Sequence, residues 1–363
     1  MKDETIGELT LPEMDAPMHE RLAEALARQI ASGLYQPGDR LPTHREISRR
    51  AKVAIGTVTK AIDLMNRRGI VRGEVGRGTF VNARDPAAEG VIDLTINGPA
   101  PVIDEDAFAA AMTLAARRAA NFPHAGYADL RGTAEQRATL ADWLSRTRID
   151  IDEREIIVTV GAQHALHLAF ADLAATSTVI ASEGATFPGA IAAANDLGLR
   201  FAPVDHDDDG MIPDNLDRVM QESGARILYT TPVCQNPLGI ETSEARRRHI
   251  LAVCEKHDAF IVEDDIYALY AAKGPLTYKG LAPERTYYLT GLSKCLTPLM
   301  RVGILAPPAG RAAPILKRLR AEVWGASPLS AEIGCAMIEL GIADTVADIL
   351  RREARARVKL VES

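Results

Sequence analysis

Cysteine is scarce in this chain and never paired. Its four thiols, Cys234, Cys254, Cys295 and Cys335, stand far apart with no CxxC spacing in 363 residues. That argues against a disulfide framework and a cysteine-ligated zinc site, and suits free or buried thiols of a reducing cytosol. The eight histidines lack metal-ligand spacing. No apolar run reaches the roughly 20 residues of a membrane-spanning helix. The N-terminal MKDETIGELTLPEMD is acidic and has no apolar core, so it does not read as a signal peptide. Internal repeats and low-complexity tracts are missing too. What is present is ordinary globular composition, 47% hydrophobic and 25% charged, in a chain long enough for two or three domains.

The net charge of −7 hides an asymmetry. Residues 19–84 carry thirteen Lys/Arg and six acids, which makes that segment +7 and the remainder −14. A compact basic module on an acidic body is the footprint of a nucleic-acid contact, although a solvated basic surface carries the same charge. Within residues 15–83, Leu22, Leu26 and Ile30 share a helix face that ends at Gly33. Thr43 and Glu46 form a T-x-x-E capping box opening a second helix after Pro42. IGTVTKAIDLMNRRG predicts a third helix, with Val58, Ile62 and Met65 inward and Thr57 and Lys60 free to meet a groove. GIVRGEVGRGTFV alternates around glycines and predicts a hairpin.

Helix, helix, turn, helix, hairpin is a winged helix-turn-helix, whose third helix enters the major groove. SGLYQPGDRLPTHREIS, the TV-x-x-AI helix and GRGTFV resemble the DNA-binding domain of GntR-type bacterial transcriptional regulators. That resemblance implies double-stranded DNA as a partner, contacted by Arg45, Thr57, Lys60, Gly76, Arg77 and Gly78. One departure stands out. Where the family often has Ser-Arg, this chain has Ala54-Ile55, and an apolar Ile55 binds neither phosphate nor guanine; a thymine methyl is what remains for it to touch.

After an N-terminal arm (1–14) and the basic module, residues 84–90 read as a linker. From residue 91 short apolar strands alternate with helical patterns: 156–160, 178–182, 226–230, 260–264, 286–291 and 301–305 read as strands, 163–175 and 243–257 as helices. The alternation predicts an α/β domain with a mainly parallel sheet, whose ligands sit at the carboxyl ends of the strands. At those ends lie TPVCQNPLG, FIVEDDIY, YYLTGLSK, TVGAQHAL and EGATFPGA. Each is weak alone. Together they suit a planar, anionic, pyridine-containing aldehyde. A lysine amine forms a Schiff base with an aldehyde. A carboxylate keeps a pyridine nitrogen protonated. Helix N-terminal amides and a guanidinium suit a phosphate.

Residues 91–363 resemble a fold-type I pyridoxal-phosphate domain of the aminotransferase class, and the whole chain resembles the MocR subfamily of regulators. The likeness implies that Lys294 is the Schiff-base lysine, that Asp264 pairs with the ring nitrogen, and that Asn236 and Tyr267 hold the ring hydroxyl. Phe187 would stack on the ring; Gly161, Ala162, Gln163, Ser293 and Arg301 would hold the phosphate. Tyr127 resembles the tyrosine that reaches the neighbouring subunit's phosphate, which implies a homodimer. Two departures accompany this. Gly291 stands where the family usually has a phosphate-donating hydroxyl, leaving Thr290 or water to replace it. The sequence stops at VKLVES, so the small C-terminal subdomain with the substrate-carboxylate arginine is expected to be missing. The leading expectation is a cytoplasmic regulator that senses pyridoxal phosphate or an amino compound. The alternatives are an aminotransferase with an accessory DNA-binding head, or a DNA-binding remnant with no ligand response.

Overall fold

A computed structural model describes residues 11–12, 16–31, 33–36, 38–67, 69–74, 77–82, 98–99, 102–122, 126–270, 274 and 276–362. The chain divides into two compact units, Met1–Asn97 and Gly98–Ser363. The expected linker at 84–90 and most of the expected arm lie outside the described residues.

In the first unit α1 (Met18–Ala31), α2 (His44–Ala51) and α3 (Ile55–Arg67) precede a hairpin of β1 (Val71–Glu74) and β2 (Gly78–Val81). The capping box is formed. The Thr43 amide donates to Glu46 at 2.7 Å, and the Glu46 amide donates back to Thr43 Oγ1 at 3.4 Å. The strands pair antiparallel with Val71 opposite Val81. Leu22, Leu26, Ile47, Val58, Met65, Val71 and Val81 close one small core. Each large apolar side chain fully buried there contributes about 1.5–3 kcal/mol.

The second unit begins with α4 (Glu105–Ala119) and α5 (Ala134–Thr147). It continues through β3 (Ile157–Val160), α6 (Gly161–Leu173), β4 (Val179–Glu183), α7 (Pro188–Asp196) and β5 (Arg200–Val204). A two-residue hairpin, β6 (His206–Asp207) and β7 (Gly210–Met211), leads to α8 (Pro213–Ser223), β8 (Ile227–Thr230) and α9 (Glu244–Lys256). Then come β9 (Phe260–Asp264), α10 (Tyr278–Leu281), β10 (Thr286–Gly291) and β11 (Val302–Ala306). Three helices follow: α11 (Ala312–Val323), α12 (Pro328–Glu339) and α13 (Ile342–Glu362).

The described strands form a seven-stranded sheet in the order β3-β11-β10-β9-β8-β4-β5. β11 runs antiparallel to both neighbours, and the other pairings are parallel. The α/β expectation holds, with one strand more than the sequence suggested. β5, at the sheet edge, contains Pro203, which an edge strand tolerates because no ladder partner is needed there. One sheet face packs on α6, α7 and α11, through Phe170, Tyr229 and Tyr287 among others. The opposite face packs on α4, α5, α12 and α13. No helix among the described residues is long and apolar enough to cross a membrane.

Candidate functional site

The carboxyl ends of β3, β8, β9 and β10 and the amino end of β11 meet along one edge of the sheet. Reversal of β11 lets Arg301, the residue before it, arrive where the other strands finish. Arg301 has φ +53, and its guanidinium lies against Gly161: a Cβ placed on Gly161 would stand 3.1 Å from Arg301 Nη2. Gly161 itself has φ +79, a conformation that glycine adopts without steric cost, and it opens α6. Gly161–Gln163 thus bring the first-turn amides of α6 beside a guanidinium, in a space that a methyl group on Gly161 would crowd. The His164 ring steadies this turn by accepting the Val160 amide at Nδ1, 3.2 Å away.

Asp264 ends β9 and is 4% exposed. Tyr229 donates to its Oδ2 at 3.0 Å, and the Ile266 amide lies 3.3 Å from its Oδ1. Tyr229 Oη also lies 3.4 Å from Thr231 Oγ1. The β8–β9 register pairs Tyr229 with Val262, so Tyr229 and Asp264 are diagonal neighbours on one face. Burial pushes the Asp264 carboxyl up to about 7, against the pull of the Tyr229 hydrogen bond and of Lys294. Lys294 is half-buried, and burial lowers its amine from the usual lysine range while Asp264 opposes that shift. Its Nζ lies 6.0 Å from the Tyr267 ring centre. Burial, with the Asp264 charge behind it, pushes the Tyr267 phenol up to about 12, so it stays a neutral donor.

Asn236, half-buried, sits in the loop after β8 and is joined to Pro237 by a cis peptide. Phe187 precedes α7; its ring edge and Gln163 Oε1 both fall 2.4 Å from a Cβ placed on Gly189, so only glycine leaves them room. The Gln163 side-chain Nε2 donates to Gly189 O at 2.7 Å. Ala162 and Ser293 are half-buried in the α6 turn and in the loop after β10. Tyr127 is set apart from these: it is 81% exposed, with its ring 5.1 Å from Trp324.

One expectation changes. Thr290 does not replace the hydroxyl missing at Gly291, because its Oγ1 donates to Asp265 O at 3.0 Å. Gly291 is itself a packing requirement, since a Cβ there would stand 2.9 Å from Val302 O. Sequence reasoning also missed Tyr229, Thr231 and Ile266. Strand alternation marks Tyr229 as buried but says nothing of its hydroxyl.

In the first unit Arg45 and Lys60 are exposed on α2 and α3, whereas Thr57 is half-buried. Thr59, not singled out from sequence, is exposed; its hydroxyl donates to Ile55 O at 3.2 Å and lies 3.4 Å from His44 Nδ1. In the wing, Arg72 and Arg77 both approach the Phe80 ring, at 5.9 and 5.8 Å from its centre. Gly78 has φ +119, and a Cβ there would meet Arg40 Nε at 2.6 Å. Gly76 lies outside the described residues. Among the described residues no cluster of His, Cys, Asp or Glu could hold a metal ion.

Known proteins match both units. The family of aminotransferases class I and II matches residues 89–357, and the bacterial regulatory proteins of the gntR family match residues 18–81. An HTH-type transcriptional regulator of Bacillus subtilis, YisV, is 26% identical, over 94% of this chain and 78% of its own length. The probable rhizopine catabolism regulatory protein MocR of Rhizobium meliloti is 28% identical, over 81% of this chain and 66% of its own. A Thermus thermophilus aspartate aminotransferase mutant shares the fold, with a TM-score of 0.66 at 18% identity over 89% of this chain and 79% of that one. The chain therefore belongs to the aminotransferase class I and II family and carries a gntR-family head, the arrangement of MocR-type regulators.

Proposed function

We propose that this chain is a DNA-binding transcriptional regulator whose aminotransferase-like unit holds pyridoxal phosphate and senses it, or an amino compound that reacts with it. The carrying observation is the convergence of Lys294, Asp264 and Tyr267 on the sheet edge that also holds the Gly161–Arg301 pocket. The donor set fits the group. Lys294, with its amine lowered by burial, would hold the aldehyde carbon covalently. Asp264, oriented by Tyr229, would keep the ring nitrogen protonated. Tyr267 and Asn236 would donate to the ring oxygen, and Phe187 would cover one ring face. Gly161, Ala162, Gln163, Ser293 and Arg301 would grip the phosphate. When bound, the group supplies an electron-withdrawing ring and a reactive carbonyl.

The head reads DNA through Arg45, Thr57, Lys60 and the wing at Gly76, Arg77 and Gly78. The exposed Tyr127–Trp324 pair supports a homodimer in which Tyr127 reaches the partner's phosphate. An effector then acts by binding two arrangements of the protein with different affinity.

Visible absorbance with added pyridoxal phosphate tests the site. Wild type should gain a band that Lys294→Ala lacks, and the same ligand should shift affinity for the DNA upstream of the protein's own gene. A band equally strong in Lys294→Ala removes the covalent assignment. DNA affinity that ignores the ligand in a protein with the band removes the sensor role.

A further inference from the structure

Ile55 is the first residue of α3 and is 50% exposed. It does not belong to the core face of that helix, which Val58, Ala61, Ile62 and Met65 form. Its neighbours Ala54 and Gly56 are exposed too, and nothing lies within 4 Å of a Cβ placed on Gly56, so the approach to this turn is open. The Ile55 carbonyl accepts the Thr59 hydroxyl, which in turn meets His44, next to the exposed Arg45. Ile55 therefore stands on the edge where the first turns of α2 and α3 come together. In a winged helix-turn-helix that edge faces the major groove.

A branched alkyl group has no donor or acceptor, so it cannot read the polar edge of a base. The major groove offers one apolar feature, the 5-methyl group of thymine. We infer that Ile55 is a specificity-determining residue that packs on a thymine methyl of the operator, while the exposed Arg45 and Lys60 take polar and phosphate contacts. The inference rests on the DNA-binding reading above and adds the base that this turn selects.

The test uses the full chain. A bound sequence is first selected from randomised duplexes. Each thymine in it is then replaced singly by deoxyuridine, which removes only the methyl group. At one thymine or more, wild type should lose about three- to fivefold in affinity, the worth of one buried methyl. Ile55→Ala should show no such loss at that position. Ile55→Arg should shift the preference there from thymine towards guanine, whose O6 and N7 suit a guanidinium. Deoxyuridine without effect anywhere on wild type overturns the inference, as does an undiminished penalty in Ile55→Ala. If selection enriches no sequence and no duplex is retained at low salt, the DNA-binding reading itself falls.

Discussion

Asp264 shows how single residues set the behaviour of the site. Its carboxyl has a folded-state value of about 7, above the ordinary carboxylate range, because burial outweighs the Tyr229 hydroxyl and the Ile266 amide. Between about pH 4 and 7 the folded protein therefore holds a proton that the unfolded chain has released. The stability this group contributes is present at low pH and is lost as pH rises through about 7. A protonated ring nitrogen beside Asp264 would reverse that preference. Thermal stabilisation by pyridoxal phosphate should accordingly be larger at pH 8 than at pH 6, since an ionised Asp264 and a neutral Lys294 both favour binding. Removing the Tyr229 donor takes away a bond worth about 1.5–3 kcal/mol to a charged acceptor. In Tyr229→Phe the midpoint of that pH dependence should rise by about one to two units. An unmoved midpoint would mean that Tyr229 packs against Asp264 without tuning it.

At the scale of elements, three glycines let strand ends close on one another. A Cβ on Gly303 would fall 2.3 Å from the Gly161 carbonyl carbon, and one on Gly291 would fall 2.9 Å from Val302 O. Gly291 and Gly303 face each other across β10 and β11. Gly291→Ser restores the hydroxyl common in the family, yet it should destabilise by about 1–3 kcal/mol through overpacking. Urea denaturation reads this directly; a midpoint equal to or above wild type would refute the steric account. These elements also show what the sequence could disclose. Capping at Thr43 and Glu46 was legible because it depends on residues three apart. β9 and β10 were legible because both are short apolar runs that end at a chemical group. β5 was not, since Arg200 and Pro203 break the strand pattern that an edge position tolerates. The Tyr229–Asp264 bond was hidden because it depends on the register between two strands with a whole helix between them in the chain, which no local pattern encodes.

Across the whole molecule, charge sets residues 19–84 apart from the rest of the chain. The +7 segment and the −14 remainder were visible at once. A DNA interface built on this charge depends on salt. Lys60→Ala should lower the slope of log affinity against log salt by about 0.9, the share of a single neutralised phosphate. Equal slopes for the two proteins would place Lys60 away from the backbone. The ligand site depends instead on β11, which runs against both its neighbours. Because β11 is reversed, Lys294 and Arg301, seven residues apart, come to the same sheet edge from opposite sides of one short connection. That connection would act as a caliper. With Lys294 on the reactive carbon and Arg301 on the anion, as proposed, the span between them would be set in local backbone, and a molecule of different length would not reach both.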